Sequence, residues 1–317
     1  MPHRRSPLPR LGELLVAVAV VAGLLAASVS VASSSQPEHV TVLAQAHAHN
    51  DYEHPLPLQD ALEQGFASVE ADVWLMGGEL LVAHDRSEVT PGSTLETLYL
   101  EPLAQQVRAN GGRVHHGWDH SFQLLVDVKS EAGPTYAALD RVLRRYDEMV
   151  TRYSPDGVDP GAVTVIVSGN RDLQRMARHD VRYAAYDGRL HDLGSGAPSE
   201  LAPLISADWT ETFTWRGQGP MPASERRRLQ EIVTRAHQDG RRVRFWGTSD
   251  LPAPARRRIW EAGLTAGVDH LESDRLTDLR EVVLDNDDAP SVPLCHGGCG
   301  SAAQLRDAHA ATARRTE

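Results

Sequence analysis

Lysine and cysteine are scarce in this chain of 317 residues, and positive charge is in short supply overall. Lysine and arginine together number 32 against 43 aspartate and glutamate residues, so the formal net charge is −11. Binding along a nucleic-acid backbone needs a basic surface. The composition therefore excludes a general nucleic-acid-binding protein, and a phosphate group has to be attracted by a local device such as a metal ion.

The two cysteines, Cys295 and Cys299, lie close together near the C-terminus. In an oxidising compartment this spacing favours a small local disulfide. Zinc binding with the help of His296 is the alternative, although a second ligand pair at the usual spacing is missing. Neither alternative touches the chemistry that the other motifs indicate.

Long hydrophobic runs are confined to the N-terminus, so no segment after residue 32 is apolar enough to cross a membrane. Arg4, Arg5 and Arg10 precede an apolar run over residues 14–32 that ends in small residues, which is the layout of a secretory signal peptide. The small residues favour cleavage over retention as a membrane anchor. We expect a secreted protein with a signal peptide at 1–32 and a polar leader at 33–39.

Short β-branched runs alternate with amphipathic stretches from residue 40 to residue 286, which predicts a parallel sheet covered by helices. Eight strands in roughly 250 residues favour a TIM-type (β/α)8 barrel over an open sheet. The predicted strands are 40–46, 68–75, 122–128, 163–168, 181–186, 202–207, 242–246 and 267–271. The predicted helices are 58–64, 95–108, 136–149, 173–178, 223–238 and 253–262.

Two segments depart from this repeat. Residues 89–121 exceed an ordinary strand-to-helix connection, so we expect a helix-bearing insertion over the barrel mouth after the second strand. Residues 287–317 show little periodicity and are predicted to form a flexible tail.

Carboxylates interrupt two of the predicted strands near their C-terminal ends, where barrels carry their active sites. Glu70 and Asp72 stand two residues apart and therefore face the same side, as do Asp127 and Lys129. Unpaired carboxylates inside a barrel cost several kcal/mol and need a cation. Three such groups suit one Mg²⁺ or Ca²⁺ ion, although structural ion pairs without catalysis are an alternative.

Lys129 is the single lysine of the chain; all the other basic residues are arginine. A compact ammonium group beside Asp127 suits a phosphate oxygen or a neighbouring carboxylate. His49 and His84 each follow an apolar strand. Two imidazoles on opposite sides of a P–O bond divide acid and base work between them, and we predict that role here without assigning which does which.

These residues lie within motifs that resemble the glycerophosphodiester phosphodiesterase and phosphatidylinositol-specific phospholipase C-like superfamily. Within it, the chain is most similar to the group named after the altered inheritance of mitochondria protein 6. The motifs span residues 45 to about 280 and include His49-Asn50-Asp51-Tyr52, Val69-Glu70-Ala71-Asp72-Val73, Leu81-Val82-Ala83-His84-Asp85, Val126-Asp127-Val128-Lys129 and Gly267-Val268-Asp269-His270-Leu271.

The resemblance implies a metal-dependent phosphodiesterase. Its metal ligands would be Glu70, Asp72 and Asp127, its acid and base His49 and His84, and Lys129 would belong to the active site. Trp246 would form a wall of the substrate cleft. Asn50 stands where the glycerophosphodiester enzymes usually carry an arginine that contacts phosphate, so the chain departs from the family at this position, and we predict that Asn50 and Trp246 bind the substrate.

We therefore predict a secreted phosphoric diester hydrolase that acts on a small-molecule or lipid phosphodiester, with possible contact to a membrane surface and no obligate protein partner. A non-catalytic module that binds a phosphate head group is one alternative. An amidohydrolase is another, because His47-Ala48-His49 resembles the start of that metal site. That class needs further histidines on later strands, yet the predicted fifth and sixth strands end without one.

Overall fold

The computed structural model describes residues 40–286, and its main feature is a closed barrel of eight parallel strands. The predicted TIM-type fold is confirmed: the last strand pairs with the first, which closes the sheet. The signal peptide, the leader, the tail and both cysteines lie outside the described residues. The barrel strands are β1 (Leu43–Ala48), β2 (Phe66–Met76), β4 (Phe122–Val128), β7 (Val163–Gly169), β8 (Ala185–Gly188), β9 (Leu204–Asp208), β10 (Arg242–Trp246) and β11 (His270–Ser273).

Alternation along each strand decides what lies inside the barrel and what lies outside. On β2, the apolar Val69, Ala71 and Val73 join the hydrophobic layer under the helices. Glu70 and Asp72 lie between them and face the interior. The same strands thus build an apolar outer layer and a polar inner surface.

The interior changes character along the barrel axis. Below the carboxylates, Leu125 and Ile166 from the middle of their strands form a separate apolar cluster with Ala185, Leu204 and Tyr153. Tyr153 belongs to a short hairpin of β5 (Arg152–Ser154) and β6 (Gly157–Asp159). This cluster fills the barrel below the polar residues, so the mouth is the accessible end.

The helices cover the outside of the barrel, and among residues 40–286 none has the length and apolar character needed to span a bilayer. All six predicted helices are present; those at 173–178 and 223–238 have the predicted bounds and the other four have shifted ends, and the structure adds two that were not predicted, α5 and α8. The helices are α1 (Gln59–Glu63), α2 (Glu101–Ala109), α3 (Ala132–Leu143), α4 (Leu173–Arg178), α5 (Trp209–Thr212), α6 (Ala223–Gln238), α7 (Ala253–Ala266) and α8 (Leu276–Asp285).

Four strands lie further along the chain than predicted: β1 and β9 begin three and two residues later, and β8 and β11 begin four and three residues later. The strand predicted at 181–186 is β8, Ala185–Gly188, because Arg182 pairs its backbone with Tyr153 of the hairpin instead of with the barrel. The strand predicted at 267–271 is β11, which begins at His270 because Gly267 ends α7 in a left-handed conformation.

The chain between β2 and β4 has two parts, a short strand and then the predicted insertion at 89–121. Strand β3 (Glu79–Val82) pairs with the end of β2 and extends beyond the other barrel strands, so this hairpin lies at the mouth. The following π-helical turn (Glu96–Leu100) and α2 do not lie over the mouth: Glu96 contacts Arg145 beside α3, and the His115 Nε2 atom is 2.8 Å from the carbonyl oxygen of Phe66 at the other end of β2. The chain has to come back to the N-terminal end of β2, because β4 is parallel to β2 and starts beside it.

Candidate active site

Three predicted carboxylates meet at the barrel mouth. Glu70 and Asp72 project from β2, and Asp127 is the cross-strand partner of Asp72 on β4. One oxygen from each lies within 4.8 Å of the others, which is close enough to hold one cation. We call Glu70, Asp72 and Asp127 the carboxylate site.

Neighbouring residues fix the carboxylate site. The Arg244 Nη1 atom donates to the Glu70 Oε2 atom over 2.8 Å. Burial opposes ionisation of Glu70, but the Arg244 guanidinium outweighs it, so its pKa lies well below the usual range. Gly169 has a φ of +64°, and a Cβ atom there would overlap the Asp127 carboxylate. The site therefore depends on a glycine that lets Asp127 approach.

Asp72 has one engaged oxygen and one unpaired oxygen. Its Oδ2 atom is 2.9 Å from the Lys129 Nζ atom, which is also 3.4 Å from the Asp127 Oδ1 atom. Its Oδ1 atom is buried and has no hydrogen-bond partner among the described residues. Burial and the charge of Glu70 raise the pKa of Asp72 to about 6. An unpaired oxygen in a site of hard oxygen donors fits Mg²⁺ or Ca²⁺, although the structure does not identify the ion.

His49 lies on the β11 side of the carboxylate site. Its Nδ1 atom is 2.5 Å from the Asp274 Oδ1 atom, and the ring is partly buried. Burial opposes protonation of His49, but Glu272, Asp274 and Glu70 outweigh it and raise its pKa to about 10. The ring is thus held by Asp274 and leaves Nε2 for a ligand or substrate.

His84 approaches from the other side, after β3. Its side chain is 52% exposed, and its Nδ1 atom lies 3.2 Å from the Asp72 Oδ2 atom. The Tyr52 hydroxyl donates to that same oxygen over 2.9 Å and is 3.3 Å from the His84 Nδ1 atom. The two predicted acid/base histidines therefore contact different acids at one site.

The two predicted substrate-binding residues lie at the same end of the barrel. Asn50 follows β1 with a left-handed φ of 44°, and its Oδ1 atom is 3.1 Å from the Tyr52 hydroxyl. Trp246 ends β10 and is one of the few exposed large apolar side chains among the described residues, at 37%. Their contact with substrate stays a prediction.

His47 is a buried structural residue, which removes the main support for an amidohydrolase. Its Nδ1 atom is 2.7 Å from the Ser68 hydroxyl, and its Nε2 atom accepts from Arg244 over 2.9 Å. Burial lowers the pKa of His47 to about 4, so the ring is neutral. Strands β8 and β9 end without histidine, as the sequence indicated.

Four residues of the site were missed as site residues from the sequence: Glu272, Asp274, Tyr52 and Arg244. Glu272 and Asp274 repeat the spacing of Glu70 and Asp72 at the end of the last strand, so the rule that found one pair also finds the other. Arg244 stands between apolar residues on β10, which is again a period-two signal. Tyr52 had no signal beyond its place in the first motif.

Fold and site together define a TIM-barrel protein with a candidate cation site and two imidazoles at its mouth. Residues 38–187 match the model of the AIM6-like phosphodiesterase domain. The chain is 32% identical over 275 residues to altered inheritance of mitochondria protein 6 of Eremothecium gossypii, which covers 75% of this chain and 69% of that protein. The chain belongs to this family of phosphodiesterase-domain proteins.

Other similarities agree with this assignment or are too weak to add to it. The homolog of the same protein in Arthroderma benhamiae is 29% identical over 252 residues, covering 72% of this chain and 80% of that one. A solved structure of a putative glycerophosphoryl diester phosphodiesterase from Silicibacter pomeroyi covers 77% of this chain and 94% of that one. Its TM-score of 0.47 and 14% identity carry no functional argument.

Proposed function

We propose that the protein is a metal-dependent phosphoric diester hydrolase with two-histidine acid/base catalysis. The observation that carries the proposal is the pair His49 and His84 on two sides of the carboxylate site, each imidazole paired with an acid. Such a pairing orients an imidazole and supports proton transfer. A module that only binds a phosphate group does not need two oriented imidazoles.

The residues divide the work as follows. A divalent cation held by Glu70, Asp72 and Asp127 would bind a nonbridging phosphate oxygen and offset the charge that develops on it. Lys129 adds a fixed positive charge beside that position. One histidine removes the proton from the attacking oxygen, and the other donates a proton to the departing oxygen, so the two exchange protonation states during the reaction.

The proposed substrate is a glycerophosphodiester or a phospholipid-like phosphodiester. Family membership supports the phosphodiester, and the exposed indole of Trp246 offers an apolar wall beside the mouth. The attacking group is either water or a neighbouring hydroxyl of the substrate; in the second case a cyclic phosphate forms first. We also propose that the protein acts outside the cell, which the predicted signal peptide at 1–32 supports.

A panel of glycerophosphodiesters and lysophospholipids, followed by phosphorus NMR with and without Mg²⁺, tests the proposal. We expect a product that requires the metal and is lost in Asp127→Asn. Asp156→Asn makes the same chemical change at an exposed position in the β5–β6 turn and should keep wild-type rates. Phosphate binding without turnover of any panel member, or of bis(p-nitrophenyl) phosphate, would indicate the binding module instead.

A further inference from the structure

A second group of buried ligand atoms adjoins the carboxylate site. One nitrogen of His49 and one oxygen each of Glu70 and Glu272 lie within 4.8 Å of one another. We call these three residues the histidine site. The two sites share Glu70; Arg244 engages its Oε2 atom, but the carboxylate has about four lone pairs and is therefore still able to contact two ions.

Within the histidine site, the environment of Glu272 indicates a bound cation. It is only 1% exposed. Its Oε1 atom accepts from the backbone nitrogen of Gly247 over 2.9 Å, whereas its Oε2 atom is buried with no hydrogen-bond partner among the described residues. A buried carboxylate oxygen without a partner is costly, and a bound cation removes that cost.

The donor set of the histidine site differs from that of the carboxylate site. Asp274 already engages the Nδ1 atom of His49, which leaves Nε2 as the ligand nitrogen. One imidazole and two carboxylates suit a transition ion such as Mn²⁺ or Zn²⁺, whereas three carboxylates suit Mg²⁺ or Ca²⁺. The two sites should therefore respond to different ions.

We propose that the barrel mouth holds a second divalent-cation site formed by His49, Glu70 and Glu272, and that an ion bound there inhibits the enzyme. Inhibition follows because proton transfer by His49 needs the same nitrogen lone pair that the ion occupies. The inhibitory effect rests on the proposed function. The binding of a second ion does not, so it can be tested without any substrate.

Mn²⁺ is the appropriate probe, because it takes oxygen and nitrogen ligands and has the lowest affinity of the first-row series for competing sulfur ligands. The chelator-treated full chain is titrated with Mn²⁺, and the free ion is measured by electron paramagnetic resonance. We expect two bound ions per chain, with dipolar broadening because Glu70 bridges them. Glu272→Gln keeps an acceptor for Gly247 but loses the charge, so it should bind one ion, the second affinity falling by at least about tenfold.

Two variants complete the binding test. Asp127→Asn should lose the ion of the carboxylate site and keep the other. Glu281→Gln makes the same change as Glu272→Gln at an exposed position of α8 and should still bind two ions. One ion in the wild type, or two in folded Glu272→Gln, overturns the proposal. If Glu272→Gln does not fold by circular dichroism, His49→Gln, which removes the ligand nitrogen, must lose the second ion in its place.

Kinetics then test inhibition separately. With bis(p-nitrophenyl) phosphate and Mg²⁺ supplied for the carboxylate site, the wild-type rate should fall as Mn²⁺ binds the histidine site, and the rate of Glu272→Gln, relative to its own rate without Mn²⁺, should lose this falling phase. Two bound ions without a falling phase would refute the inhibition. An enzyme inactive on every substrate would refute the proposed function, while the number of bound ions would still decide whether the second site exists.

Discussion

Two regions of the barrel interior, the apolar cluster and the mouth, are built from the same strands and have opposite roles. On β4, Leu125 in the middle of the strand belongs to the apolar cluster, and two residues later Asp127 belongs to the carboxylate site. In the apolar cluster, burial stabilises the fold. At the mouth burial brings like charges together and raises the pKa of Asp72 and of Asp127. Stability and chemistry are thus separated along one axis, as is usual in this fold.

Removal of either imidazole should have the largest effect, and it should be confined to activity. We expect His49→Ala or His84→Ala to lower turnover by about a hundredfold or more, since general acid/base groups contribute that much. Unfolding of His84→Ala by urea should change little, because that ring is half exposed. Wild-type rates in both purified variants would contradict their assignment.

Truncation of a side chain in the apolar cluster should lower stability and leave activity unchanged. Leu125 is fully buried, so Leu125→Ala should lower the free energy of unfolding by about 3 kcal/mol. Activity per folded molecule should be kept. Leu56→Ala is the matched control, because Leu56 is 50% exposed. Equal stability of the two variants in urea denaturation would contradict the role of the apolar cluster in stability.

Removal of a negative charge from the carboxylate site should stabilise the metal-free protein. The raised pKa of Asp72 means that its charged form is penalised in the folded state, so metal-free stability should fall as the pH rises from about 4 to about 6. Asp72→Asn should remove much of this fall and gain about 1–2 kcal/mol at pH 8. Saturating Mg²⁺ should raise the melting temperature of the wild type and not of the variant. Calorimetry with and without chelator measures both effects.

The smallest effect concerns the charge pair formed by His237 of α6 and Asp269 just before β11. The His237 Nε2 atom is 2.9 Å from the Asp269 Oδ2 atom. Burial lowers the pKa of His237, but the hydrogen bond and charge of Asp269 outweigh it and raise the pKa above 6.5. This stabilisation is therefore fully present below pH 6.5 and is lost as the pH rises through the raised pKa. His237→Gln should cost about 1 kcal/mol at pH 6 and less at pH 9, and a constant cost would argue against the pair.

Much of the fold was predictable because its signals are local. The alternation of apolar and polar residues on β2 and β4 indicated both the barrel and the side on which Glu70, Asp72 and Asp127 lie. Strand β8 was placed too early because residues near Arg182 are extended but pair with the hairpin at Tyr153. No local pattern distinguishes one extended partner from another.

The site was predictable only in part, because some of its contacts join distant segments. His49 and Asp274 are 225 residues apart in the chain and meet because β1 pairs with β11. Tyr52 reaches Asp72 and His84 only after the loop behind β1 turns back over the mouth. The role of Tyr52 therefore had no signal in the residues around it.

The sequence by itself determined the inward-facing carboxylates, the single lysine beside them and the parallel barrel that carries them, since each follows from spacing along one strand. Tertiary structure alone decided that Arg244 holds Glu70, that Asp274 orients His49 and that Glu272 adds a second group of cation ligands. The reason is barrel closure: it brings the first and last strands into contact and places charges from both ends of the chain within a few ångströms.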